Sequence, residues 1–125
     1  MFAERFSPLI TKYPQEADAL ARLEAYFRSY ESRKGDEYKR IKLEPQRLFE
    51  ISQAGSSVRL ANVISLLLLE GLLERILVVV SPGGGGIKTF RSQAEIPRVI
   101  HDTRLDVELE VTEDNVQTYY QPAGE

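Results

Sequence analysis

The chain has 125 residues, 42% of them hydrophobic, and a formal net charge of −3. That is the length of one domain with enough apolar residues for a core, and its mild acidity is not the footprint of an autonomous nucleic-acid binder. With no cysteine and a single histidine, His101, disulfides and thiolate metal sites are excluded.

The first segment, residues 2–12, places Phe2, Phe6, Leu9 and Ile10 at helical spacing. Pro14 opens a longer amphipathic pattern in which Leu20, Leu23, Phe27 and Tyr30 recur every three or four residues, and Gly35 is its stop. "RIKL" can form a short strand. Pro45 suits the first turn of a second helix that buries Leu48, Phe49 and Ile51. "QAGSS" reads as a tight turn, with Ser56 or Ser57 capping a third helix, "VRLANVISLLLLE", that ends at Gly71. "LLERILVVVS" and "IKTFRS" read as strands around a run of four glycines. "SQAEIP" is a turn or short helix. "LDVELEV" alternates Leu105, Val107, Leu109 and Val111 against Asp106, Glu108 and Glu110. "TEDN" carries capping chemistry and "VQTYY" is a closing strand. The apolar runs "ISLLLLEGLL" and "ILVVV" are cut by Glu70 and by Glu74-Arg75, short of the roughly 20 residues that span a bilayer. No signal-peptide core is visible. The expectation is therefore a cytoplasmic protein with no membrane partner.

The order helix, short strand, helix, turn, helix and hairpin resembles a winged helix-turn-helix, carried by "LFEISQAGSSVRLANVISLLLLEGLLERILVVVSPGGGGIKTF". The resemblance implies an α+β fold: a winged-helix domain over residues 1–91, with a long N-terminal helix. Residues 76–125 resemble the small zinc ribbon that follows a winged helix in some bacterial proteins, sharing the wing strands as a C-terminal β-hairpin extension. Ser81, Gly84, His101 and Arg104 stand where that ribbon has its cysteines, so the resemblance implies a scaffold without metal. An ordinary extended wing is the alternative.

"SPGGGGIKTF" invites comparison with a phosphate-binding loop. Such a loop needs glycine directly before Lys-Ser/Thr and a helix after it; here Ile87 intervenes and a strand-like segment follows. The plainer reading is a hairpin tip. His101 beside Asp102 lacks any assignable nucleophile and reads as a surface-turn histidine. Glu108 and Glu110, and Glu113 with Asp114, read as solvated faces; no calcium-loop pattern is present. No catalytic residue, cofactor or metal is expected.

The third helix decides between protein and DNA. Leu60, Val63, Ile64 and Leu67 form its packing side; Val58, Ala61, Asn62, Ser65, Leu66 and Leu69 lie opposite. That second face lacks the cations of a DNA reader, and its leucines ask for cover by a protein partner, by self-association, or by the chain's own N-terminal segment or first helix. Arg33, Lys34, Lys39, Arg40, Lys42 and Arg47, with Arg59, offer a basic surface interleaved with acids. The expected function is a non-catalytic protein-interaction adaptor, or a small subunit of a larger bacterial assembly. Winged helices bearing such a ribbon resemble accessory components of conflict and anti-phage systems. A winged-helix DNA-binding transcriptional regulator is the alternative.

Overall fold

The computed structural model describes residues 2–124; the terminal residues 1 and 125 of the two expected spans lie outside it. The arrangement is α+β. Helices α1 (Ser7–Lys12), α2 (Ala17–Lys34), α3 (Pro45–Ser52) and α4 (Ser57–Leu69) precede strands β1 (Leu73–Val80), β2 (Gly86–Phe90), β3 (Val99–Asp102), β4 (Val107–Glu110) and β5 (Val116–Pro122). One sheet has the order β2-β1-β5, and β3 pairs with β4 in a second. Among the described residues, no helix is long and apolar enough to cross a membrane.

The chain divides into two units. One is the stretch up to Glu74 joined by the segment from Tyr120; the other is Arg75–Tyr119. The division thus falls inside β1, because β1 pairs with β2 inside the second unit while Leu72 and Leu73 belong to the first unit's core.

In the first unit, Leu20, Leu23 and Phe27 of α2 are buried as their spacing predicts. Phe2 and Phe6 pack edge-on and stacked against Phe27, with ring centroids 4.9 and 5.8 Å away, and Tyr38 stacks on Phe2 at 5.3 Å. The buried stripe of α2 continues through Glu31, whose carboxylate accepts the backbone N–H groups of Phe2 and Ala3 at 3.3 and 2.7 Å. A charge is tolerated there because it supplies acceptors to amides that open a 3₁₀ turn, Ala3–Phe6. Arg5 ties the first turn to the far end of the unit, donating to the carbonyls of Gly71 and Ala123 at 2.9 and 3.1 Å.

Pro45 opens α3, and Ser56 caps α4 by accepting the Arg59 N–H at 3.1 Å. The expected "RIKL" strand reduces to a single bridge between Leu43 and Tyr120, since 35–40 winds as a 3₁₀ turn first.

In the second unit, β1 is buried almost throughout, and β2 pairs antiparallel to it with an irregularity at Val79/Val80. The alternating segment behaves differently from its pattern. Only 107–110 is strand, Leu105 sits in the preceding turn, and Leu105 and Val107 are half exposed. Among the described residues β4 pairs only with β3, a strand the sequence reading missed, and a two-stranded ribbon has no further strand to cover it.

Candidate functional site

α4 is the element around which the first unit offers a site. About 100° per residue separates its side chains into a buried arc and an exposed one. Val63, Ile64 and Leu67 are buried, and Leu60 is partly buried against the core. Val58, Ala61, Asn62, Ser65 and Leu69 are exposed, with Val58 at 69% and Leu69 at 80%.

Leu66 corrects the sequence reading. It was expected on the open face with Leu69; it is only 8% exposed and belongs to the core cluster. Its position on the helix is roughly 60° from Val63 as well as from Leu69, so it sits on the boundary. The core cluster that buries it also contains Phe2, Phe6 and Leu9 of the chain's N-terminal segment.

That segment forms a strap. Helix α1 ends at Tyr13, and Pro14 starts a 3₁₀ turn, Pro14–Glu16, before α2 begins. The strap is held at both ends of α4. Lys12 Nζ lies 2.8 Å from Glu70 Oε1, which raises the Lys12 amine above its ordinary pKa through the hydrogen bond first and the charge second. Arg59 donates to the Gln15 carbonyl at 3.1 Å and faces Glu16 Oε1 at 3.6 Å. Between these anchors an open groove of about 510 Å³ remains, walled by Tyr13 and Pro14 on one side and by Asn62, Ser65, Leu66 and Leu69 on the other. The charges at its rim are already paired. Asn62 and Ser65 make no side-chain hydrogen bond among the described residues. The groove can therefore take neutral apolar groups and offers an amide and a hydroxyl to them.

The basic residues do not join this face. Arg33, Lys34, Lys39, Arg40, Lys42 and Arg47 are all exposed, along the end of α2, the 3₁₀ turn after it and α3. Arg47 faces Glu50 at 3.4 Å and lies over Tyr26; Arg33 lies over Tyr30. Arg59 is committed to the strap. Lys34, Lys39, Arg40 and Lys42 make no ion pair among the described residues, but Asp36, Glu37 and Glu44 are exposed between them.

In the second unit, the glycine run is a closed turn. Ser81 N–H donates to the Gly85 carbonyl at 2.9 Å, Gly84 N–H to the Ser81 carbonyl at 2.8 Å, and Gly83 N–H to Ser81 Oγ at 3.1 Å. These amides are spent internally, and the chain continues into β2 rather than a helix. Gly85 has a φ of +82°, a left-handed conformation that favours glycine.

This turn meets the one after β3. Ser81 Oγ donates to Asp102 Oδ2 at 2.6 Å, and Asp102 Oδ1 accepts the N–H groups of Arg104 and Leu105 at 2.9 and 3.2 Å. Asp102 is fully buried. Its pKa is lowered, first by the Ser81 hydroxyl, then by the two amides and the nearby Arg104 charge, against the opposing effect of desolvation. Of the positions Ser81, Gly84, His101 and Arg104, Ser81 points inward; its partner is Asp102, which sequence reading passed over. The only sequence signal is that Asp favours Asx turns, and the sequence does not show which turn meets it.

His101 lies on β3 rather than in a turn. Its ring nitrogens are 3.1 Å from Glu108 Oε1 and 3.1 Å from Asp106 Oδ1. The Glu108 hydrogen bond is the main reason its pKa is raised. Compared with protein-family models, curated proteins and solved structures, the chain has no match.

Proposed function

We propose that this chain is a non-catalytic protein-interaction module, an adaptor or small subunit of a larger bacterial assembly such as a conflict or anti-phage system. On this reading it is a winged-helix domain with a metal-free, ribbon-like β-extension. The observation that carries the interaction reading is the exposed face of α4: Val58 and Leu69 stand in water one helix-length apart, beside a groove whose rim charges are paired. Two exposed apolar residues next to a charge-neutral groove suit a protein side chain better than a phosphate. The order of α2, α3, α4 and the β1–β2 hairpin supports the winged-helix reading. Two turns joined by Ser81 and Asp102, where a ribbon would share a metal, support the metal-free extension.

A photo-crosslinking residue in place of Leu69 or Ser65 tests the interaction reading in producing cells. The expected result is a light-dependent adduct with a polypeptide, lost when Val58→Asp is added. No adduct from either position overturns the reading.

A second reading, a DNA-binding transcriptional regulator, is favoured by Lys34, Lys39, Arg40 and Lys42, four exposed cations that make no ion pair among the described residues. Sequence-selective duplex binding at physiological salt, abolished by Lys39→Ala with Arg40→Ala, would put it first.

A further inference from the structure

We propose that the β3–β4 ribbon carries a proton-operated clasp: the His101 imidazolium holds the turn residue Asp106 and the strand residue Glu108 together, and loss of its proton releases Asp106 and frees the ribbon tip. The clasp is independent of the α4 reading. His101 and Glu108 are direct cross-strand partners, and the turn 103–106 joins their strands. His101 Nδ1 lies 3.1 Å from Glu108 Oε1, and Nε2 lies 3.1 Å from Asp106 Oδ1. Both ring nitrogens therefore face a carboxylate oxygen at hydrogen-bond distance. Only the imidazolium carries an N–H at each nitrogen; the neutral ring donates from one and presents a lone pair at the other. A neutral His101 keeps one of the two contacts and turns the other into a lone pair against a carboxylate.

The contact given up is the one with Asp106. Glu108 stays opposite His101 because the pairing of β3 with β4 holds it there. Asp106 has no such hold: it sits in the turn with its side chain 91% exposed, and its φ is +54°, a conformation few residues other than glycine adopt freely. The charges around the ring all favour the proton. Glu110 follows Glu108 on the same face of β4. Asp102 points to the opposite face, where Ser81 and two amides take up its carboxylate, and the Arg104 guanidinium lies beside Gly85. The raised His101 pKa, due first to Glu108, agrees with this setting. The clasp is closed below the ordinary value of 6.5 and opens as pH rises through the folded-state value. The N–H groups of Arg104 and Leu105 stay bonded to Asp102 throughout, so the freed part is the end of the turn at Asp106, between the half-exposed Leu105 and Val107.

His101 is the only histidine, so its ring resonances are unambiguous in the full chain. An NMR pH titration gives its midpoint, and amide relaxation on either side of that midpoint gives the mobility of the tip. Asp106 should become more mobile above the midpoint while Arg104, bonded to Asp102, stays as it was. Asp106→Asn removes one of the two carboxylate charges and should lower the His101 midpoint. His101→Gln should leave Asp106 equally mobile at both pH values, at the level of the parent above its midpoint. Equal mobility of Asp106 on the two sides of the midpoint in the parent chain would overturn the clasp. So would an Asp106→Asn chain whose His101 midpoint has not moved, or a His101→Gln chain in which the tip still loosens with pH.

Discussion

Truncating Leu66 and Leu69 separately separates buried from exposed α4 side chains. Leu66 is 8% exposed and Leu69 is 80% exposed, although they are three residues apart on one helix. Burying a leucine side chain is worth about 1.5–3 kcal/mol, and a Leu→Ala change in a core costs about 2–5 kcal/mol once the cavity is counted. Leu66 borders the open groove, so the space left by truncation joins solvent rather than forming a sealed void. The lower part of that range applies, about 2–3 kcal/mol. For a chain of this size that lowers Tm by roughly 6–15 °C. Leu69→Ala should stay within about 0.5 kcal/mol of the parent. Circular dichroism melts and urea titrations read both, at concentrations low enough to keep self-association out. Equal losses for the two variants would refute the placement of Leu69 in water. A silent Leu66→Ala would refute its placement in the core.

Ser81→Ala removes the largest contributor to the lowered Asp102 pKa; a depressed carboxyl stabilises the fold above its unfolded value of 3.8 and loses that contribution as pH falls through the folded value, so acid unfolding of Ser81→Ala should begin at higher pH and the Asp102 carboxyl resonance should titrate higher. The raised His101 pKa works in the opposite sense: its contribution is complete below the ordinary value of 6.5 and fades as pH rises through the folded value. Glu108→Gln should lower the His101 midpoint, read from its imidazole proton shifts. Glu31→Ala leaves the amides of Phe2 and Ala3 buried without acceptors; a loss of roughly 2–4 kcal/mol is expected in a urea titration, with faster hydrogen exchange at residues 2–6.

What the sequence by itself determined is the set of elements whose cause is local. The stripe Leu20–Leu23–Phe27, Pro45 at the first turn of α3, Ser56 as the cap of α4 and the β-branched run of β1 each form where backbone sterics, capping and periodicity put them. The burial of Glu31, one turn beyond Phe27, was not read from the sequence, because its cause is the pair of distant amides, Phe2 and Ala3, that its carboxylate accepts. Tertiary structure alone decided the rest. Leu66 and Leu69 are the same residue type on neighbouring turns, and only the packing of the first unit's core buries one and leaves the other in water. The alternation from Leu105 to Val111 predicted a buried face, but burial depends on a second layer that periodicity cannot supply. Ser81 and Asp102, 21 residues apart, acquire their meaning only when two turns close on each other and a hydroxyl meets a carboxylate out of reach of water.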